Sequence, residues 1–242
     1  MIRSSTLEYL QDTTDGIPGW MIPYAGRVTA ELLAKQVEMA VEGSLLEIGV
    51  YGGKYLSVIY DDARTTGSLV LAIDPFEHFT PDQIAGAMRT RADDKLLKFI
   101  KAYSTDVNST ELAGMLGGRC RFASIDGSHY AADVGWDIQI VYDNLHPQGI
   151  ISVDDFLNTE CLGVVEAVGR FLERKPNLAP FLFTSNKLFM CPLRAVDTYK
   201  KAIMEFARRA PDVGGNERFT TSHDQNPLWG STEFYGHRLF VI

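Results

Sequence analysis

The chain has 242 residues, a formal net charge of -8 and three cysteines, Cys120, Cys161 and Cys191, without metal-ligand spacing. Its length suits a single α/β domain over residues 1–242, and its acidic balance argues against binding to nucleic-acid phosphates, which normally requires a basic stripe. No apolar stretch is long enough for a membrane span, and the first residues lack the apolar core of a signal peptide. We therefore expect a cytoplasmic protein with free thiols that binds neither nucleic acid nor membranes.

Helix and strand patterns alternate along the chain. Helices are predicted over residues 28–41, 53–59, 80–97, 109–116, 129–145, 158–173 and 195–209, and strands over residues 45–50, 69–74, 99–104, 121–126, 149–155, 181–184, 187–191 and 238–242. The alternation predicts an α/β fold with a mostly parallel sheet, helices on both faces and one antiparallel hairpin strand near its edge. Residues 1–43 are expected to form an N-terminal helical or lid segment, residues 44–193 the core, and residues 194–242 a C-terminal helix, loop and strand.

Acidic residues follow two of the predicted strands. Asp126 ends one strand, with His129 three residues later, and Asp154 and Asp155 end another. Because the carboxyl ends of parallel strands meet at one edge of a sheet, we expect these side chains to converge. Three carboxylates make an oxygen-rich cation site, and the imidazole is a candidate base beside it. Taken alone, the Asp154-Asp155 pair equally suits a helix cap or a solvated surface.

A glycine-containing segment, Glu47-Ile-Gly-Val-Tyr-Gly-Gly53, lies at a predicted strand-to-helix turn, where glycines let a ligand approach the backbone. Asp74 ends the next strand, where a carboxylate can accept ribose hydroxyls. The dinucleotide pattern G-x-G-x-x-G is broken by Tyr51, and the P-loop pattern fails because Lys54 is followed by Tyr. A tight turn without a ligand is the alternative interpretation.

Together these motifs resemble the class I S-adenosylmethionine-dependent methyltransferases, whose sheet is Rossmann-like, and within them the metal-dependent branch of macrocin O-methyltransferases and cephalosporin hydroxylase-like proteins. The resemblance covers residues 19–193. The chain departs from the family's pattern at position 55, where Tyr replaces the usual Ser or Thr, and at Gln148, where Gly-Gly is common. The resemblance implies that S-adenosylmethionine contacts Glu47, Gly49, Tyr51, Gly52, Gly53, Asp74 at the ribose, Ser104 near the adenine, and Asp126.

The resemblance also implies the chemistry. Asp126, Asp154 and Asp155 match the family's divalent-metal ligands, and Asp126 and His129 are the expected catalytic residues, with His129 as the base. A bound Mg²⁺ or another divalent cation would orient an acceptor hydroxyl and lower its pKa. Histidine changes its charge near neutral pH and can take the proton. The expected activity is O-methylation of a small hydroxylated metabolite, such as a sugar or a polyhydroxylated natural product.

Two other functions remain open at this point: a hydroxylase-like member of the same branch and a catalytically inactive S-adenosylmethionine-binding protein. Non-haem iron oxygenases favour two histidines and one carboxylate, whereas this sequence offers one histidine and three aspartates. Asp133 and Asp137 are expected to lie on a solvated helix face. Aromatic residues in polar segments suit a substrate lid, core contacts or the contacts of a homo-oligomer. They are Trp20 and Tyr24, with Met21 between them, near the N-terminus, and Trp229, Phe234 and Tyr235 near the C-terminus.

Overall fold

The computed structural model describes residues 2–242, which build one nine-stranded sheet in the order β3-β2-β1-β4-β5-β7-β6-β9-β8. The strands are β1 (Ser44–Ile48), β2 (Val70–Asp74), β3 (Leu97–Lys101), β4 (Cys120–Ile125), β5 (Leu145–Val153), β6 (Leu178–Thr184), β7 (Lys187–Pro192), β8 (Ser231–Phe234) and β9 (His237–Val241). Strands β1 to β5 pair in parallel, and β7 runs antiparallel between β5 and β6. The predicted mostly parallel sheet with an antiparallel hairpin strand is confirmed.

Nine α-helices among the described residues connect and cover the strands. They are α1 (Ser4–Asp12), α2 (Pro23–Glu38), α3 (Lys54–Thr66), α4 (Pro81–Ala87), α5 (Ser109–Leu116), α6 (Ala131–Asn144), α7 (Leu162–Arg174), α8 (Val196–Arg209) and α9 (Asn216–Gln225). Local sequence sets several ends: Thr80 forms a capping box with Gln83 at the start of α4, and Gly67 ends α3 in a left-handed conformation.

Two apolar cores lie on opposite faces of the sheet. Side chains of α2, α3, α4, α8 and α9 pack on one face, and side chains of α5, α6 and α7 pack on the other. Alternate residues of a strand supply both cores: Leu45 faces the first core and Leu46 the second. Covering both faces explains why the central strands are apolar throughout, and it leaves the strand ends as the places where polar groups gather.

Two predicted elements need correction, and three further elements were not predicted. The helix that begins at Pro81 ends at Ala87 rather than near residue 97, because Arg89 takes a left-handed backbone conformation that stops it. Strand β5 begins at Leu145, before the predicted turn at Gln148. Helices α1 and α9 and strand β8 were not predicted, since their sequences are polar and lack an apolar stripe.

The C-terminal residues extend the sheet beyond the predicted core. Strand β9 pairs in parallel with β6, and β8 pairs antiparallel with β9. Within residues 2–242, no helix has both the length and the apolar character needed to cross a bilayer.

Candidate functional site

The carboxyl ends of β1, β2, β4 and β5 lie along one edge of the sheet, where the predicted site residues are found. The strand order reverses between β1 and β4, since β2 and β3 extend one way from β1, and β4 and β5 the other. A reversal of this kind opens a crevice outside the strand ends, which is where open α/β sheets bind ligands. The topology therefore positions the glycine loop and the acidic residues on the two sides of one crevice.

The glycine loop after β1 is held tightly against the end of β4. Gly49 has a φ of +80°, and a Cβ at this position would lie 2.1 Å from the carbonyl oxygen of Asp126. Gly53 has a φ of +88°, and its Cβ would lie 2.6 Å from Cγ2 of Ile84 on α4. Both positions thus need glycine for backbone conformation and for space. Tyr51 at the tip also has a positive φ and places its ring 4.9 Å from that of Trp20.

Asp74, at the end of β2, organises this loop. One oxygen of its carboxylate accepts backbone N–H groups from Val50 at 2.7 Å and Tyr51 at 3.2 Å, and the other accepts from Phe76 at 2.6 Å. These bonds tie the loop after β1 to the end of β2. The predicted contact of Asp74 with a ribose remains a prediction, and the structure adds a loop-holding role that the sequence did not indicate.

Glu47 lies inside the sheet beneath the loop and is 1% exposed. Its Oε2 has no hydrogen-bond partner among the described residues. Burial, followed by the charge of Asp126, raises the pKa of Glu47 well above its ordinary value. A buried carboxyl with a free oxygen at this point fits a site that receives a polar, positively charged part of a ligand.

Asp126 and Asp154 lie close together at the ends of β4 and β5. Burial and the neighbouring carboxylates raise the pKa of Asp126 well above its ordinary value, although Lys187 opposes the shift. The Nζ atom of Lys187 lies 2.7 Å from Oδ2 of Asp154, and the lysine side chain is 2% exposed. Its ammonium also lies 4.0 Å from the ring centroid of Tyr55. A buried cation, not indicated by the sequence, therefore belongs to this acidic cluster of Asp126 and Asp154.

Asp155 turns away from that cluster. Its backbone has a φ of +54°, and its Oδ1 accepts side-chain amides of Asn158 at 2.9 Å and Asn186 at 2.6 Å. Its Oδ2 lies 3.1 Å from Nε2 of His129, which is 47% exposed. The histidine predicted as a base thus has a carboxylate that can orient its ring, while its other nitrogen is free to meet a substrate.

The positions of the candidate ligand atoms decide whether the site suits a divalent ion. Within residues 2–242, three potential ligand atoms lie within 4.8 Å of one another in the group His129, Asp155 and Cys161, and the predicted trio Asp126, Asp154 and Asp155 does not form such a group. Both carboxylate oxygens of Asp155 already have partners, Asn158 and His129, and the carboxylate of Asp154 is paired with the ammonium of Lys187. The carboxylates have the right chemistry for Mg²⁺, but this arrangement does not fit the ion.

Ser104 lies in a short 3₁₀ turn after β3, at the same edge, and close to Asp137 of α6. Asp137 was predicted to face solvent, and this was wrong: the side chain is 0% exposed and neither carboxylate oxygen has a hydrogen-bond partner among the described residues. Burial raises the pKa of Asp137 to about 7. The sequence signal was its place between apolar neighbours, since Val134, Ile138 and Val141 share its helix face.

The aromatic residues near the termini lie in two places. Trp20 packs on Tyr51 of the glycine loop, next to the crevice, and is 81% exposed. Phe234 packs against Phe156, with ring centroids 5.2 Å apart. Trp20 therefore meets the predicted cofactor loop, as a lid would, whereas Tyr24 packs on Phe206 of α8, and a lid role remains a prediction.

Comparison with known proteins agrees with this geometry. Residues 46–156 match a family model described as a methyltransferase domain. No curated protein sequence matches the chain. Residues 46–156 contain every residue that the sequence predicted for the site, from Glu47 to Asp155.

Three solved structures show the same fold. The O-methyltransferase NovP gives a TM-score of 0.57 at 16% sequence identity, covering 69% of this chain and 79% of NovP. An O-methyltransferase from Bacillus cereus, in complex with SAH, gives 0.54 at 18% identity, covering 78% of this chain and 91% of that one. MycE, a methyltransferase from the mycinamycin biosynthetic pathway in complex with Mg, SAH and mycinamycin VI, gives 0.52 at 16% identity, covering 78% and 54%.

Residues 46–156 thus match a methyltransferase domain, and the sheet has the Rossmann-like fold of these methyltransferase structures. The methyltransferase domain and the Rossmann-like sheet predicted from the sequence are confirmed.

Proposed function

We propose that this protein transfers a methyl group from S-adenosylmethionine to a hydroxyl oxygen of a small metabolite. The observation that carries the proposal is the placement of the predicted site: a methyltransferase domain over residues 46–156 brings the glycine loop and a paired histidine to the same crevice at the strand ends. The topology fits a cofactor on the β1 and β2 side and an acceptor on the β4 and β5 side.

The cofactor side offers groups suited to each end of S-adenosylmethionine. Glu47 has a buried oxygen without a partner, and Asp126 raises its pKa, so a bound ammonium would relieve an unfavourable concentration of carboxyl groups. The close backbone approach at Gly49 leaves no side chain between the loop and β4. Asp74 fixes Val50 and Tyr51, and its carboxylate can accept further hydrogen bonds from ribose hydroxyls.

The proton acceptor is His129. When its Nε2 donates to Asp155, its Nδ1 is the unprotonated nitrogen and can take a proton from the acceptor hydroxyl. In the transfer, the hydroxyl oxygen forms a bond to the methyl carbon, the carbon–sulfur bond breaks and its electron pair stays on sulfur. The hydroxyl proton moves to His129. The products are the methyl ether and S-adenosylhomocysteine, so the reaction needs no other reactant.

The proposal includes no step through a divalent ion. The resemblance predicts one, and MycE is described in complex with Mg. In this chain, however, the ammonium of Lys187 lies against Asp154, and both oxygens of Asp155 are engaged. Metal assistance therefore stays a prediction to be measured.

The acceptor class is proposed from two considerations. NovP and MycE are named as methyltransferases, and CalS11 is described as a TDP-rhamnose 3'-O-methyltransferase, all with this fold. The exposed aromatic rings of Trp20, beside the glycine loop, and Tyr130, next to His129, suit stacking on a sugar or an aromatic ring.

The test is a screen of hydroxylated sugars and polyphenols with S-adenosylmethionine, read by mass spectrometry as a gain of about 14 daltons, the difference between a hydrogen and a methyl group. The His129→Ala variant is the matched control. Cofactor binding with no methylated product from wild type across a broad panel would instead support an inactive S-adenosylmethionine-binding protein.

A further inference from the structure

Lys187 is placed beside the acidic cluster by the hairpin between β6 and β7. Ser185 and Asn186 form the turn with left-handed backbones, and Lys187 follows as the first residue of β7, which pairs with β5. Because β7 runs antiparallel to β5, the beginning of β7 lies next to the end of β5, where Asp154 is. The fold therefore delivers a lysine to the carboxyl edge of the sheet.

The same hairpin is fastened to the loop that carries Asp154. The backbone N–H of Phe156 donates to the carbonyl of Asn186 at 3.1 Å, and the side chain of Asn186 donates to Asp155 at 2.6 Å. These bonds act just after Asp154, and the pairing of Val153 with Leu188 acts just before it, so the lysine and its partner are held in place by separate contacts. The 2.7 Å approach of Nζ to Asp154 thus belongs to a fixed arrangement rather than to two mobile surface chains.

The ammonium of Lys187 is shielded from solvent and contacts Asp154 and the ring of Tyr55. Its side chain is 2% exposed, and one face of the charge is covered by the ring of Tyr55 at 4.0 Å. Tyr55 is itself buried and held by a hydroxyl contact of 2.6 Å with Thr29. Burying an ammonium costs a large desolvation energy, which is recovered only where nearby carboxylates and an aromatic face offset it.

The surroundings of Lys187 hold more carboxyl groups than one ammonium can pair with. Asp154 touches its ammonium, and Asp126 and Glu47 are close enough to interact with it electrostatically. A divalent ion bound to Asp126 and Asp154 would lie beside this ammonium, and two cations so close repel each other strongly in a site from which water is excluded. The ammonium of Lys187 and a divalent ion would therefore compete for the same carboxylates.

We propose that Lys187 is the resident cation of the acidic cluster, so that the cluster holds its shape without a divalent ion and binds such an ion only weakly. Lys187 is a positioning residue: its buried Nζ acts through Asp154 and Asp126. The inference rests on the proposed function for its place in catalysis, but it concerns metal affinity and can fail separately from methyl transfer.

The test is a titration with Mn²⁺, read by electron paramagnetic resonance, on chelator-treated protein without any substrate. Wild type is expected to bind Mn²⁺ weakly. Lys187→Met removes the charge at similar length and is expected to bind one Mn²⁺ at least about tenfold more tightly, because a like charge next to the ion is gone. Lys187→Arg keeps the charge and is expected to stay weak.

Two further variants show which residues bind the ion. Adding Asp154→Asn to Lys187→Met is expected to abolish the gained affinity, while Cys161→Ala, which alters the group His129, Asp155 and Cys161, is not. If Lys187→Met does not fold, the wild-type titration still decides. Tight stoichiometric binding of Mn²⁺ by wild type, or equal affinity in folded wild type and Lys187→Met, would overturn the proposal.

Discussion

Two buried cations lie at opposite ends of the parallel strands, and their contacts differ greatly. Arg121 is near the beginning of β4 and is 1% exposed, while Lys187 is at the carboxyl edge and is 2% exposed. The guanidinium of Arg121 donates to one carboxylate and three neutral acceptors, which are Asp62, Gln36 at 3.1 Å, Ser68 at 3.2 Å and Thr66 at 3.3 Å. The ammonium of Lys187 instead meets Asp154 and an aromatic ring.

The contrast separates a group that stabilises the fold from a group that belongs to a functional site. At the amino edge, one positive charge meets one negative charge, and neutral partners accept the other hydrogen bonds of the guanidinium, with Nε alone left without an acceptor among the described residues. At the carboxyl edge, one ammonium faces Asp154, Asp126 and Glu47, and Glu47 keeps an oxygen without a partner. A cluster of buried carboxyl groups is costly to folding, and such clusters are found where a ligand or a reaction uses them.

The largest expected effect tests the carboxyl edge. His129→Ala should lower turnover about 10²–10⁴-fold, because the base that takes the hydroxyl proton is lost. Since His129 is 47% exposed, the free energy of unfolding should change little. His146→Ala, a histidine at the other end of the sheet, serves as the control in rate assays. Equal turnover in His129→Ala and wild type would remove the base from the mechanism.

The next effect tests the amino edge. Arg121→Met should lower the free energy of unfolding by about 3–5 kcal/mol, because Asp62 loses its partner and several buried acceptors lose their donor. Denaturant unfolding measures this, with the exposed Arg119→Met as the matched control. Per folded molecule, turnover should be close to wild type. If Arg121→Met were as stable as wild type but catalytically impaired, Arg121 would belong to the functional site and would not be a group that stabilises the fold.

A pH effect distinguishes Asp137, which has no ion partner at either edge. Its pKa rises from 3.8 to about 7, so between these values the folded protein holds a proton that the unfolded chain has lost. The stability that this proton contributes is fully present below pH 3.8 and is lost as the pH rises from there through about 7. The free energy of unfolding falls by at most about 1.4 kcal/mol per pH unit in this range. Asp137→Asn should flatten this dependence in denaturant unfolding at several pH values.

The control for that measurement is Asp143→Asn, because Asp143 lies on the same helix and is exposed. It should keep the wild-type pH dependence. If Asp137→Asn also keeps it, the buried carboxyl does not bind a proton on folding.

The smallest effect concerns the cofactor loop. Asp74→Ala should weaken S-adenosylmethionine binding by about 1.5–3 kcal/mol, since charge-assisted hydrogen bonds to the loop and to the ribose are lost together. Asp74→Asn keeps one acceptor oxygen and should lose less. Calorimetry measures both, and unchanged affinity in a folded Asp74→Ala variant would place the ribose elsewhere.

Much of the fold and of the crevice follows from local patterns. Asp74 and Asp126 could be placed at strand ends because apolar runs end there, and parallel strands bring their ends to one edge. The hairpin at Ser185 and Asn186 was indicated by two polar residues between apolar strands. Polar helices such as α9 carry no such periodic signal.

The charges of the site were harder to predict, since they depend on contacts between distant segments. Lys187 is the charged first residue of an otherwise apolar strand, a signal that could have been noticed, but its approach to Asp154 depends on the register of β5 and β7. In the sequence Tyr55 is only a departure from the resembled pattern, whereas in the fold its ring covers the ammonium of Lys187. Asp155 follows Asp154 in sequence yet faces His129, because its left-handed backbone turns the chain.

The most direct test of the account is a calorimetric titration of S-adenosylmethionine into chelator-treated wild-type protein, followed by the same titration with Mg²⁺ restored. The carboxyl edge is expected to bind one cofactor per chain without metal, because Lys187 already supplies the cation of the acidic cluster. Binding with the same affinity in both titrations is the predicted result. Folded protein that binds no S-adenosylmethionine in either titration, or binds it only with Mg²⁺, would contradict the account.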